Sequence, residues 1–370
     1  MRILVDGEAM VGKPSGAGNY SSRIIEGIIS HKNIDLEICV PLNHGEILNS
    51  LKEKVKIHEY GRIPYKYIDN GYYMFIKEII ETSSPDIFWE PSVFVDFLRT
   101  YSGKTKIVTT VHDIMPITNP EFYHFYYPAY FKKRLKKTAV IADMIMFVSE
   151  FSKREFEKHF RTNAKMKVVS PPISYNTGRS ESDSWDICES KFTFELKPYL
   201  LFLGYSQKRK GIDILLDAYS KIAARIPHKL VIAGSSTKSA NNIINNYRRR
   251  LKDKLIYLDY VSSSQRDILL SNCEMFLFPS RAEGFGMPPV EALIRGKKTV
   301  CSDIEVLRES TRNFADYFDL NLGPEGLSSV IIDVLKKEHP KNHVSEALIS
   351  EFAPVKIAKK VLSHFFELSE

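Results

Sequence analysis

The stretch Phe276–Gly296, FLFPSRAEGFGMPPVEALIRG, runs from an apolar segment through a glycine-rich turn into a helix-compatible segment, and it carries two glutamates, Glu283 and Glu291. Gly284 and Gly286 let backbone N–H groups approach an anion. Pro288 suits the start of a helix, whose N-terminus adds partial positive charge, and Gly296 is placed to end it. Two carboxylates beside an anion site cannot themselves bind phosphate. They are suited to accept hydrogen bonds from hydroxyl groups, such as those of a ribose or a transferred sugar. Phosphate and polyol together point to a nucleotide sugar. Taken singly, each residue has a plainer reading: Glu291, in the first turn of the helix, favours the dipole, and the glycines shape a turn.

Three further segments carry groups of the same kind. Gly204–Gly211, GYSQKRKG, follows an apolar run and precedes the helical stretch IDILLDAYSKIAA. Lys208, Arg209 and Lys210 therefore crowd a helix start, where the dipole disfavours each cation by ~0.3–1 kcal/mol, and an anionic partner would offset that cost. The alternative is a solvated basic turn. Ser15–Tyr20, SGAGNY, places Gly16 and Gly18 where the backbone could approach a ligand closely, although the third glycine of a dinucleotide fingerprint is missing. Val111–Pro116, VHDIMP, ends another apolar run. There His112 could donate a hydrogen bond to a sugar hydroxyl and Asp113 could orient it or bind acceptor, against the alternative of a structural histidine.

With the Glu-Gly-Phe-Gly turn and its second glutamate in place, the sequence resembles the retaining glycosyltransferases of family four, the glycosyl transferases of group 1, whose members have the GT-B fold. The likeness continues through FVSEFSK (Phe147–Lys153), DYVSSSQRDILLSNCEMFLFPS (Asp259–Ser280) and CSDIEVLRES (Cys301–Ser310), and it is weakest between Gly45 and Ser84. It implies that Glu283 contacts the donor sugar, that Phe285 and Gly286 present amides to sugar or phosphate, and that Glu291 holds ribose hydroxyls. It also implies that Lys210 meets the donor diphosphate. Tyr205 stands where many members carry an arginine, and Arg209 is the available substitute. His112 and Asp113 match a His-Asp pair at the same strand end, and Gly16 and Gly18 match a turn presented to the donor.

Positioning these groups requires parallel sheets. Short apolar runs at Ile3–Asp6, Leu36–Val40, Ile87–Trp89, Lys106–Val111 and Met144–Val148 alternate with helical stretches. The pattern restarts at Tyr199–Leu203, Leu230–Ala233, Leu255–Leu258, Met275–Pro279 and Lys298–Cys301. Strand followed by helix, repeated, predicts α/β architecture with two doubly wound Rossmann-like domains, here facing across a cleft. Ligands then bind beyond the carboxyl ends of the strands. The expected division is an acceptor-side domain over 1–172, a linker over 173–197 centred on the polar NTGRSESDSWDICES, and a nucleotide-sugar domain over 198–352. A helix over 353–370 is expected to pack back toward the first domain. Its apolar positions are Val355, Ile357, Val361, Leu362, Phe365 and Phe366.

A chain of 370 residues suits two cores rather than one. Hydrophobic residues at 44% and charged residues at 26% exclude a disordered or fibrous protein. The net charge of +7 suits an anionic partner, but no nucleic-acid-binding module is recognisable. Cys39, Cys273 and Cys301 sit in apolar runs, the usage of a reducing compartment. The opening MRILVD reads as a strand, so no signal peptide is expected, and no apolar run approaches ~18 residues, so no transmembrane helix is expected. A cytoplasmic protein is expected, peripheral at most on the inner membrane. Glu121–Lys137, EFYHFYYPAYFKKRLKK, reads either as a segment at a membrane interface or as a helix with a solvated basic face.

No two aspartates are separated by a single residue, so the Asp-x-Asp metal site of many sugar transferases is absent and no metal or other cofactor is expected. Lysine, arginine and helix N-termini would neutralise the leaving diphosphate. The donor is expected to be a GDP- or UDP-hexose, and the acceptor a glycan or polyprenyl-linked saccharide in bacterial surface polysaccharide synthesis. Retention by front-face attack fits better than a covalent intermediate, because no convincing carboxylate pair is evident. The rival readings are a nucleotide-sugar 2-epimerase and a catalytically idle, nucleotide-sugar-binding partner subunit. An oxidoreductase lacks the expected fingerprint.

Overall fold

Thirteen parallel strands form two sheets in a computed structural model of the chain, which describes residues 1–11, 15–31, 33–41, 51, 54–61, 70–173, 196–338 and 342–370. The chain divides into two compact units, Met1–Ser174 with Phe352–Glu370, and Tyr175–Glu351. Most of the expected linker, NTGRSESDSWDICES included, lies outside the described residues. Each unit is a Rossmann-like α/β body.

In the first unit the strands are β1 (Arg2–Asp6), β2 (Asp35–Pro41), β3 (Lys56–Tyr60), β4 (Ile87–Glu90), β5 (Lys106–Val111), β6 (Met144–Phe147) and β7 (Lys165–Val168), in the order β3-β2-β1-β4-β5-β6-β7. The helices are α1 (Gly16–Ile29), α2 (Asn70–Ser83), α3 (Met115–Thr118), α4 (Tyr127–Ile141) and α5 (Glu150–His159), joined by the C-terminal α13 (Pro354–Ser369). The second unit holds β8 (Tyr199–Leu203), β9 (Lys229–Ala233), β10 (Leu255–Leu258), β11 (Met275–Phe278), β12 (Lys298–Ser302) and β13 (Asp316–Phe318), in the order β10-β9-β8-β11-β12-β13. Its helices are α6 (Ile212–Ile222), α7 (Lys238–Leu251), α8 (Ser263–Asn272), α9 (Met287–Ile294), α10 (Glu305–Ser310) and α11 (Gly323–Leu335), and α12 (Asn342–Phe352) closes it.

Central strands covered by helices on both faces must be apolar on both faces. Accordingly IFW of β4, YLLFL of β8 and MFLF of β11 are buried throughout. The first core joins Leu4, Phe88 and Phe147 of the sheet to Ile76 and Ile80 of α2 and to Phe131 and Leu135 of α4. The second joins Leu200, Phe202 and Ile232 to Leu215 and Tyr219 of α6, Ile244 of α7 and Ile331 of α11.

Strands β3, β7 and β13 were not evident as apolar runs. All three are edge strands, partly solvated, and their sequences KIHEY, KMKV and DYF carry charges that blur a buried-strand pattern. The last helix also needs correction. In α13 Val355 and Phe366 are 54% and 46% exposed, whereas Ala358 and Leu368 join Ile357, Val361, Leu362 and Phe365 on the buried stripe. Helical spacing carries 355 and 366 off that stripe. Phe365 meets the Trp89 ring of β4 edge-on at 6.0 Å, and Lys167 of β7 donates to Glu367 at 2.9 Å, so α13 belongs to the first unit's packing.

In each sheet the strand order reverses direction at one place, between β1 and β4 and between β8 and β11. The loops leaving those strands open the crevice where doubly wound folds bind ligands.

Candidate active site

In the second unit the turn after β8 and the loop after β11 meet at this reversal. Lys208–Lys210 forms one turn of 3-10 helix, and Gly211 then enters α6 with φ +72°, a left-handed conformation. A Cβ on Gly211 would lie 1.9 Å from the Pro279 carbonyl oxygen, so only glycine lets the two loops approach this closely. Arg281 N–H donates to the Arg209 carbonyl at 2.8 Å, and the Arg281 guanidinium grips Asp213 in the first turn of α6 through two contacts of 2.7 Å. Sequence reasoning missed this clamp, since a loop arginine and a helical aspartate so far apart in the chain show no common pattern.

The clamp brings Arg209, Lys210 and Glu283 together. Lys210 Nζ donates to Glu283 Oε1 at 2.6 Å and lies 5.1 Å from the centre of the Phe278 ring. Arg209 Nη1 stands 3.5 Å from Glu283 Oε2 and donates to the Ala282 carbonyl. The Ser280 hydroxyl also donates to Glu283 Oε1. Burial alone would raise the Glu283 carboxyl, but Lys210 and then Arg209 outweigh it and hold the group below the usual carboxylate range. Glu283 is thus a buried, ionised carboxylate between two cations.

Gly286 caps α9 at φ +86°, and a Cβ there would lie 2.5 Å from Leu307 Cδ2. Phe285 is buried, and the whole turn from Glu283 through Gly284 to Gly286 sits at the N-terminal end of α9. The helix begins at Met287, so Glu291 is its fifth residue and falls in the second turn rather than the first. Glu291 therefore does not serve the dipole. It is buried and accepts from the Arg266 guanidinium of α8, while Arg295 donates to the Glu291 carbonyl at 3.0 Å and to Asp267 at 2.9 Å. Arg266 went unmarked in sequence although it lies in the family-like string Asp259–Ser280, because pairing across two helices leaves no local signature.

In the first unit His112 follows β5, and its Nε2 is 2.7 Å from the Pro91 carbonyl. Burial lowers its pKa below the ordinary histidine value despite that bond. The neutral ring must then carry its proton on Nε2, which leaves Nδ1 as an acceptor. The expected donation to a sugar hydroxyl thus turns round: His112 can accept from a hydroxyl. Asp113 Oδ1 accepts from Met115 N at 2.9 Å and so shapes the entry to α3.

Gly16 opens α1, and the amide of Gly18 donates to the Ser15 side chain at 2.9 Å. A Cβ on Gly18 would meet the Ala9 carbonyl at 2.3 Å, so the close approach that this glycine allows is to the chain itself. Tyr20 of α1 packs edge-on against the His112 ring at 5.1 Å, tying that turn to the end of β5.

Comparison with known proteins agrees with this architecture. The model for glycosyltransferase family 4 matches residues 14–176, and that for glycosyl transferases group 1 matches residues 183–349. The chain is 29% identical over 210 residues to the O-antigen chain mannosyltransferase B of Escherichia coli, covering 55% of each protein. It is 28% identical over 228 residues to the O-antigen chain mannosyltransferase RfbU of Salmonella typhimurium, covering 58% of this chain and 61% of that one. These alignments therefore span little more than half the length of the curated relatives. Among solved structures, Anabaena HepE in complex with UDP and glucose superposes with a TM-score of 0.75 at 16% identity, covering 99% of this chain and 100% of the other. The lipopolysaccharide outer core galactosyltransferase WaaB gives 0.67 at 19% identity, with 99% of both chains covered. One model falls on each half of the chain, the two-sheet topology is that of the solved structures, and the chain belongs to the family 4, group 1 glycosyltransferases with their GT-B fold.

Proposed function

We propose that the protein is a retaining, metal-independent hexosyltransferase. It moves a mannose-, rhamnose- or glucose-type hexose from a GDP- or UDP-sugar to a glycan or polyprenyl-linked saccharide. The setting is bacterial O-antigen or capsule synthesis, in the cytoplasm and at the cytoplasmic face of the inner membrane. The observation that carries this reading is the convergence of Arg209, Lys210 and Glu283 where the strand order of the second sheet reverses. The relatives named for O-antigen mannosyl transfer support the hexose and the setting, and the neighbour solved with UDP and glucose supports the donor class.

Lys210 and Arg209 supply fixed positive charge where a departing diphosphate accumulates negative charge, and fixed charge there needs no reorganisation during the reaction. Glu283, kept ionised between them, accepts hydrogen bonds from sugar hydroxyls, and Glu291 does the same for the ribose. His112 Nδ1 accepts from a hydroxyl of the transferred sugar. As the glycosidic bond to phosphate breaks, the sugar gains oxocarbenium character. The acceptor oxygen attacks from the face the phosphate leaves, and the phosphate takes its proton. Atoms balance without a metal.

The test is nucleotide release from a panel of UDP-, GDP-, ADP- and dTDP-sugars in EDTA, with lipid-linked acceptors present. Release from one donor, unaffected by EDTA and lost in Lys210→Ala, supports the reading and identifies the donor. Absence of turnover and of binding for every donor overturns it in favour of an idle partner subunit.

A further inference from the structure

In α4 of the first unit the apolar stripe and the basic stripe are separated. Phe131, Leu135, Thr138 and Ala139 face the core, where Phe131 packs on Phe94 at 5.3 Å. Arg134 turns inward, its guanidinium 4.1 Å over the Phe94 ring and 2.9 Å from Asp96. The remaining cations do not. Lys132, Lys133 and Lys136 are exposed and form no ion pair with a carboxylate among the described residues. Val140 continues their stripe at 78% exposure.

Just ahead of the helix, Phe125 is 86% exposed and Tyr126 is 59% exposed. Their rings touch each other at 5.6 Å and His124 at 4.7 and 4.5 Å, forming an aromatic cluster outside the core. Single exposed apolar residues are ordinary. An aromatic cluster just ahead of a helix whose exposed lysines have no carboxylate partner among the described residues places two chemistries in one exposed segment.

We infer that His124–Tyr126 and the Lys132–Lys133–Lys136–Val140 face of α4 form a docking surface for an anionic lipid bilayer, with the aromatic cluster entering the headgroup region and the lysines meeting lipid phosphates. Charge complementarity selects an anionic partner. Val140, an exposed aliphatic side chain that cannot stack on a base, gains from an acyl boundary and selects lipid over nucleic acid. Lysine stems can lie along the apolar layer while their ammonium groups stay at the phosphates. The inference deepens the membrane-side part of the proposed function.

The test is co-sedimentation of the full chain with phosphatidylethanolamine vesicles containing phosphatidylglycerol, and separately with phosphatidylcholine vesicles. Each lysine near an anionic surface should strengthen binding roughly fivefold. The triple variant Lys132→Ser, Lys133→Ser, Lys136→Ser should therefore bind anionic vesicles about a hundredfold more weakly. Phe125→Ser with Tyr126→Ser should lose about tenfold, a loss that persists at high salt, where surface charge is screened. All five positions are exposed, so unchanged thermal unfolding of the variants certifies their folds.

Equal binding to both vesicle types, no binding to either, or an aromatic variant that binds like wild type overturns the inference. So does preferential binding of single-stranded nucleic acid at matched phosphate concentration. The assay needs neither donor nor turnover, so failed vesicle binding with intact nucleotide release leaves the transferase reading standing, and the reverse pattern separates them as clearly.

Discussion

Lys210 Nζ and Glu283 Oε1 lie 2.6 Å apart in the loops leaving β8 and β11, with Arg209 within 3.5 Å of the other carboxylate oxygen. The Glu283 carboxylate thus occupies the position in which an anionic ligand would meet the ammonium. Under the proposed function a donor diphosphate shares or displaces Glu283, and the energetics of that exchange are measurable.

Lys210→Ala leaves Glu283 buried with Arg209 as its remaining nearby cation. Breaking one partner of a buried pair costs roughly 3–5 kcal/mol, and Arg209 should reduce that to about 2 kcal/mol. Calorimetry should show a lower Tm for Lys210→Ala and recovery in the double variant Lys210→Met, Glu283→Gln, which removes the uncompensated charge. A double variant less stable than Lys210→Ala would contradict the pairing.

Glu283→Gln separates binding from chemistry. With the carboxylate neutralised, phosphate no longer competes with an anion at position 283 for Lys210 and Arg209, so affinity for the nucleoside diphosphate should hold or rise. Turnover should fall by a factor of about 100 or more, in proportion to a lost hydrogen bond to the reacting sugar. Isothermal titration with UDP and GDP, beside single-turnover rates, reads the two effects. Equal losses in both would mean that Glu283 is structural.

Gly211→Ala should destabilise the second unit by more than about 2 kcal/mol, because φ is +72° and the new methyl meets the Pro279 carbonyl oxygen at 1.9 Å. Gly296 has φ +67° with open space around it, so Gly296→Ala should cost only about 1 kcal/mol. The ordering of the two unfolding midpoints is the check.

Arg266→Ala removes the guanidinium that holds the Glu291 carboxylate, and should cost roughly 2–4 kcal/mol while weakening nucleotide binding. Arg266→Lys should restore part of the stability but less of the binding, because an ammonium fixes the orientation of a carboxylate less well than a guanidinium. Parallel Tm and Kd measurements distinguish the two losses.

Glu90 of β4 is buried beside Asp6 of β1, the neighbouring strand with Val5 in register with Trp89. Burial first, and then Asp6, push the Glu90 carboxyl well above its ordinary value, while Ser92 donates to it at 2.7 Å through its amide. Asp6 also accepts from Tyr72 at 2.7 Å and from the Glu8 amide at 2.9 Å. A folded-state value above the unfolded one means that the native state holds the proton longer. Stability then declines as pH rises from the ordinary glutamate range through the raised value. Glu90→Gln, which cannot ionise, should flatten the fall in Tm as pH rises above the ordinary glutamate range. An unchanged slope in the variant would refute the assignment.

The alternation of buried apolar runs with helical stretches was legible because a central parallel strand must be hydrophobic on both faces, and YLLFL or MFLF can be little else in that setting. The turn of Glu283, Gly284, Phe285 and Gly286 was legible because glycine conformation and helix capping act over a few neighbouring residues. Local chemistry writes local sequence.

The tertiary structure decided what depends on neighbours distant in the chain. It paired Lys210 with Glu283 and Arg266 with Glu291, spent the Gly18 amide on Ser15 and the Nε2 proton of His112 on the Pro91 carbonyl, and moved Val355 and Phe366 to solvent. Short edge strands such as KMKV acquired strand identity only from the ladder beside them. A side chain's type and local spacing set which bonds it can make, whereas folding chooses among the many partners that satisfy them by burying some and excluding others from water.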